Sequence, residues 1–190
     1  ISISTSILFN QPDRTVMLRM IQDVTERTRL EAERKQTEAA LQNLAAITAT
    51  GASFFLELVY RIAEALEVPY VMVTEKVEDT LQTLAFWAEG LQPNIAFTFA
   101  QTPFERTSKY DSFYCEDQVQ QHFPNAPTLV DMEARSYLGV ALHDAQGEAI
   151  GELCLLDKAP LQHPKRARQL LSIFAARAAA ELQRQQAMAA

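Results

Sequence analysis

Two cysteines, Cys115 and Cys154, are all that the 190 residues contain. That is too few for a disulfide framework and points to a reduced, cytoplasmic setting. The chain opens on Ser-rich Ile1–Asn10 with no basic start, so it shows no secretory leader, and the lack of an initiator Met reads as a piece of a longer protein. No apolar run approaches the roughly 18–20 residues of a membrane span. His122, His143 and His163 stand far apart, and neither a His-x-x-x-His pair nor a Cys-x-x-Cys occurs, which argues against a metal site. Gly147 and Gly151 fall in a hairpin pattern, not in the strand, Gly-rich turn and helix that a phosphate loop needs. Asp111, Glu116 and Asp117 are three acids in one predicted loop, and in an acidic protein they read as solvated.

What is present begins with apolar content of 48%, enough for one core plus extensions. The net charge is −7. Residues 1–50 hold six acidic and six basic residues, so the whole imbalance lies beyond them. An acidic main body argues against nucleic acid as its partner. The stretch around which the rest is organised is Ser136–Asp157. Its apolar runs, Tyr137–Leu142 and Ala149–Leu156, flank a polar turn, with Gly147 where a turn can require positive φ. Neither run alternates cleanly, which predicts a hairpin of central strands covered on both faces.

Residues 1–24 alternate with period two on either side of Gln11-Pro12-Asp13 and predict a second hairpin, which needs a larger sheet or a partner chain. At Asp23–Arg27 the composition turns to Glu, Arg, Lys, Ala, Gln and Leu. Thr25 is placed to cap a helix running to about Thr48. Leu30, Thr37 and Leu44 lie seven apart, as do Arg34, Leu41 and Thr48, and only half of these seam positions are apolar.

Phe55, Leu58, Val59, Ile62 and Leu66 then recur at helical spacing, ended by Pro69. Strands are predicted over Tyr70–Glu75, Leu81–Ala88 and Ile95–Ala100. Thr102-Pro103-Phe104-Glu105 has the chemistry of a helix start, with Thr102 as N-cap. Residues 101–135 are irregular and rich in rings, with Phe113–Cys115 as a short strand and helical pieces at Val119–Phe123 and Thr128–Glu133. A segment of this kind lying over a sheet makes a pocket wall, and the candidate pocket residues are Phe97, Phe99, Phe104, Tyr114 and Tyr137. Pro164 opens a long helix to about Met188. The cations Lys165, Arg166 and Arg168 in its first turn oppose the helix dipole and read as solvated.

The predicted order is helix, three strands, irregular segment, two strands, helix. It gives an α/β (α+β) domain whose antiparallel sheet has helices on one face and a pocket-covering segment on the other. Residues 50–185 resemble a GAF domain of the subtype found in bacterial multi-sensor proteins. The resemblance rests on Val68-Pro69-Tyr70-Val71, Thr102-Pro103-Phe104-Glu105, Phe123-Pro124, Ser136-Tyr137-Leu138-Gly139-Val140, Gly147, Ile150-Gly151 and Leu155-Leu156-Asp157. The subtype usually has Gly-Thr-Pro-Cys-Glu where this chain has Gln101-Thr102-Pro103-Phe104-Glu105, so any role of a thiol there is lost. Met20–Arg27 is similar to the closing strand of a PAS domain running into a signalling helix. These resemblances imply a PAS tail over 1–24, a linker helix over 25–49, a GAF domain over 50–163 and a closing helix over 164–190 that leads to an output module such as a histidine kinase or diguanylate cyclase. They also imply a homodimer through the terminal helices and an unidentified small ligand. A covalently held bilin is argued against, because Cys115 is followed by Glu116 instead of the usual His, and Cys154 lies inside a strand. The competing implication is a thiol-dependent methionine sulfoxide reductase using Cys115.

Overall fold

The first well-patterned apolar stripe forms α1, Ala52–Leu66, which buries Phe54, Phe55, Leu58, Val59 and Ile62 along one side. In the computed structural model of this protein the described residues are 31–32, 34–35, 38–39, 42 and 47–189. The hairpin expected over residues 1–24 and most of the linker helix over 25–49 lie outside them. The described positions between 31 and 42 are helical and exposed. Contacts divide the chain into one unit over residues 1–40 and another over 41–190. The second unit carries the whole of the described sheet.

After α1 the chain forms β1 (Tyr70–Val77), β2 (Thr80–Ala88), β3 (Leu91–Gln92) and β4 (Ala96–Thr98). Next come α2 (Pro103–Tyr110), β5 (Ser112–Cys115), α3 (Val119–His122) and α4 (Pro127–Asp131). The chain closes with β6 (Ser136–His143), β7 (Ala149–Asp157) and α5 (Pro164–Ala189). The strands make one sheet in the order β3-β2-β1-β7-β6-β5, with β4 also paired to β2. Every pairing is antiparallel.

The predicted central hairpin is β6–β7. Gly147 takes φ 86 in its turn, and Asp144 accepts from the N–H groups of Gln146 at 2.9 Å and Glu148 at 2.8 Å. Both strands are buried over most of their length, as an unalternating apolar pattern requires. The strand expected over Ile95–Ala100 shrinks to three residues, and β3 was not legible at all. Gly90, with φ 155, and Pro93, which has no N–H, bound β3 on either side and keep it to two residues. Ile95 still docks through its backbone, accepting from and donating to Thr83.

The period of two sorts the central strands into faces. Val71, Val73, Leu138, Leu142, Leu153 and Leu155 meet α1 and α5. Tyr70, Met72, Tyr137, Cys154 and Leu156 point the other way, into a second cluster with Leu129 and Met132 of the 101–135 segment. That segment therefore lies over the sheet as a roof. Arg135 closes its far end by donating to both carboxylate oxygens of Asp117, at 2.9 and 2.6 Å. Lys158 adds a contact to Glu133 at 2.9 Å.

On the opposite face α5 runs past the sheet. It buries Leu170, Leu171, Phe174, Ala178 and Leu182, and its last residues are exposed. Lys165, Arg166 and Arg168 are exposed as well. The helix also grips the approach to α1. Arg177 donates to the Ile47 carbonyl at 2.8 Å, its guanidinium lies 5.4 Å from the Phe54 ring centre, and Glu181 accepts from the Gly51 N–H.

Candidate ligand cavity

Beneath the roof lies a cavity of about 30 Å³, lined by sheet and roof side chains together. Its floor is Met72, Thr74, Tyr137, Glu152, Cys154 and Leu156, and its ceiling includes Phe104, Leu129 and Met132. At the roughly 10–15 Å³ that one water needs, this is room for about two or three water molecules. The closing of the cavity traces to Phe104. Thr102, with extended backbone, starts α2, and Pro103 takes the first helical position, where its missing N–H costs nothing. The next side chain is then sent down onto the sheet, where the Phe104 ring is buried and meets Phe99 edge-on at 5.2 Å.

The local chemistry at that turn departs from a simple cap. The Thr102 hydroxyl donates back to the Phe99 carbonyl at 2.7 Å instead of capping α2. Glu105 accepts from the Gln101 N–H at 2.9 Å. Gln101 itself has φ 63, a left-handed conformation that a glycine would adopt with less strain.

One end of the cavity is polar. Glu152 projects from the middle of β7 and is only 2% exposed. Burial pushes its carboxyl well above the ordinary 4.5, opposed only by a hydrogen bond from Thr107. Thr107, on α2, lies 3.4 Å from a Glu152 carboxyl oxygen, 3.1 Å from the Tyr137 hydroxyl and 3.3 Å from the Pro103 carbonyl. Its single hydrogen serves one of these at a time. Gly139 makes the gathering possible, because a Cβ there would strike the Glu152 carboxyl, the Tyr137 hydroxyl and the Thr107 hydroxyl. Thr74, paired across the strands with Glu152, is 1% exposed, and its hydroxyl has no hydrogen-bond partner among the described residues.

Of the five rings singled out from the sequence, Phe97, Phe104 and Tyr137 line this cavity, and Phe99 packs behind Phe104. Tyr114 does not reach it. It pairs with Leu138 in the β5–β6 register, which puts it on the helix-side face of the sheet. Its neighbour Phe113 takes the roof side and meets Phe123 at 5.9 Å and Tyr137 at 6.0 Å. A one-residue choice within a short strand decides the face. Sequence reasoning also missed Glu152, Thr74 and Thr107. The available signal was a lone Glu inside the apolar run Ile150–Leu156, where an unpaired charge is costly.

Cys115 is buried and donates to the Asp117 carbonyl at 3.2 Å. Burial raises its pKa above the ordinary 9.0. Cys154 is raised further, by burial and by the neighbouring Glu152. Thiol chemistry needs the opposite, a thiolate favoured at neutral pH. Two of the three loop acids have other partners: Asp117 holds Arg135, and Asp111 lies 3.2 Å from His143. No helix among the described residues is long and apolar enough to cross a membrane.

A family profile described as GAF domain matches residues 52–182. Solved structures share the fold. The GAF domain of an Acinetobacter phosphoenolpyruvate-protein phosphotransferase superposes with TM-score 0.67 at 15% identity, covering 82% of this chain and 97% of that one. The A. aeolicus nlh2 GAF domain in an inactive state gives 0.64 at 11% identity, covering 80% of this chain and 98% of that one. The R. palustris bacteriophytochrome RpBphP3 gives 0.60 at 11% identity, covering 80% of this chain and 37% of that one. No curated protein matches the sequence.

Proposed function

The chain belongs to the GAF domain family, and from that premise we propose that it is the sensory or regulatory module of a bacterial signal-transduction protein. In this reading a small molecule occupies the cavity under the roof, and the module performs no catalysis itself. Residues 1–24 are the tail of a PAS domain, 25–49 a signalling helix, and α5 leads into an output domain of the histidine kinase or diguanylate cyclase type. The terminal helices pair in a parallel homodimer, and the setting is cytoplasmic.

The observation that carries the reading is the placement of cavity and terminal helix on opposite faces of the same strands. Glu152 and Cys154 floor the cavity, while Leu153 and Leu155 of the same strand face the helix side. A ligand that favours one spacing of roof and sheet then biases the packing of α5, provided that it binds the two arrangements unequally. Native mass spectrometry of the purified chain tests this. The expected result is a dimer that carries or accepts a small molecule. A monomer at all accessible concentrations removes the relay through paired helices.

A second reading is favoured by the size of the cavity. With room for only a few waters, the domain acts as a filled dimerisation unit. Dimers that never carry or accept a small molecule would select it.

A further inference from the structure

We propose that the cavity under the roof recognises a short alkylammonium ion, its cationic head held by Glu152, Thr74 and Tyr137. The proposal deepens the reading of the cavity as a ligand site and rests on it.

The polar side-chain atoms that line the cavity are all oxygens, apart from the sulfur of Cys154 and the two methionines. No Lys, Arg or His lines it, and no side-chain amide. An anion would find a carboxyl and no cation, which disfavours anions. A neutral donor of one hydrogen could satisfy Glu152 or Thr74, not both. An –NH3+ group brings three hydrogens to a site that is rich in acceptors. Thr74 is the independent sign of a missing partner. Its hydroxyl is buried, lines the cavity beside Glu152 and bonds to nothing among the described residues, although buried hydroxyls as a rule are paired. The remaining wall is hydrocarbon and thioether, suited to a short alkyl chain. The volume as it stands takes only the head group. Met72 and Met132, side chains of high torsional freedom, are the ones placed to yield to the chain.

The proton balance follows from the burial. Without a ligand, burial disfavours the charged form of the Glu152 carboxyl. The other titratable groups facing it are Tyr137 on β6 and Cys154 on its own strand, whose thiol burial keeps protonated, and the roof brings the Thr107 hydroxyl to it. An arriving R–NH3+ favours the carboxylate, so Glu152–COOH and R–NH3+ become a Glu152–COO⁻/R–NH3+ pair with one proton released to solvent. Below the folded pKa of Glu152, affinity then rises with pH.

The test uses the full 190-residue chain and three matched probes: propylamine, propionamide and propionate. Isothermal titration at about pH 6, 7 and 8 is read alongside the methyl NMR signals of Met72 and Met132. The expected result is propylamine binding whose Kd falls as pH rises, by up to about tenfold per pH unit, with up to one proton released. Glu152→Gln should abolish the slope and weaken binding at least tenfold. Thr74→Val, which keeps the shape and the fold, should weaken it without changing the slope. If propionamide shifts the same methyl signals and binds as well as propylamine, the cavity is a ligand site and the cation is wrong. If no probe moves those signals at any pH, the ligand site itself is wrong, and this inference falls with it.

Discussion

Glu152 is an acid buried in the middle of a sheet, and stability should report that. Its folded pKa is raised by burial, so above pH 4.5 the unfolded chain gives up a proton that the folded chain keeps. The contribution is complete below 4.5 and is lost as pH rises toward the folded value. Wild-type unfolding free energy should fall by up to about 1.4 kcal/mol per pH unit across the affected window. Glu152→Gln should flatten this fall above pH 4.5, as urea titrations would show. Cys154 does not blur this test, because its own pKa lies above 9.0. Gly139 is a second point of tension. A methyl group there has the Glu152, Tyr137 and Thr107 polar atoms in its way, so Gly139→Ala should cost about 1–3 kcal/mol by overpacking. A variant as stable as wild type would show that the three atoms are not gathered as described.

At the scale of elements, the sheet and its roof differ in how they are held. β1, β6 and β7 are paired on both sides and covered on both faces. The roof rests on short helices, and its far end is closed by exposed ion pairs. Local opening should therefore start there. Amide hydrogen exchange should be faster over 117–135 than in the three central strands, and Arg135→Ala should speed the roof further with little change in overall melting temperature. Equal protection of roof and central strands would contradict this. Acid should loosen the same clasp. Asp117 is held below its ordinary 3.8 by the hydrogen bonds from Arg135, so its contribution is present above that value and is lost as pH falls through the folded pKa.

For the whole molecule, contacts divide the chain near residue 40, and among the described residues the closing contacts of the second unit reach back to Ile47. A chain of residues 47–190 should unfold in one cooperative transition within a few degrees of the full-length protein by calorimetry. A large drop would show that earlier residues are part of this fold. Much of the fold was legible beforehand, because long stretches of it obey one period. The α1 stripe from Phe55 to Ile62, the hairpin around Gly147 and the Thr102–Glu105 helix start all stand where the local chemistry put them. The short strands did not declare themselves. Leu91–Gln92 has no pattern of its own, and Phe113 and Tyr114 differ only in which face they take.

The sequence by itself determined the antiparallel α/β layout, the ring-rich roof and the terminal helix. Those follow from periodicity, capping and turn residues within reach of one another along the chain. Only the tertiary structure decided how the polar end of the cavity is assembled. Thr74, Thr107, Tyr137 and Glu152 come from four separate elements, and no spacing along the chain brings them together. What does so is strand register, which sets Thr74 against Glu152, and the descent of α2 onto Gly139. Whether a buried acid has a partner depends on packing in three dimensions.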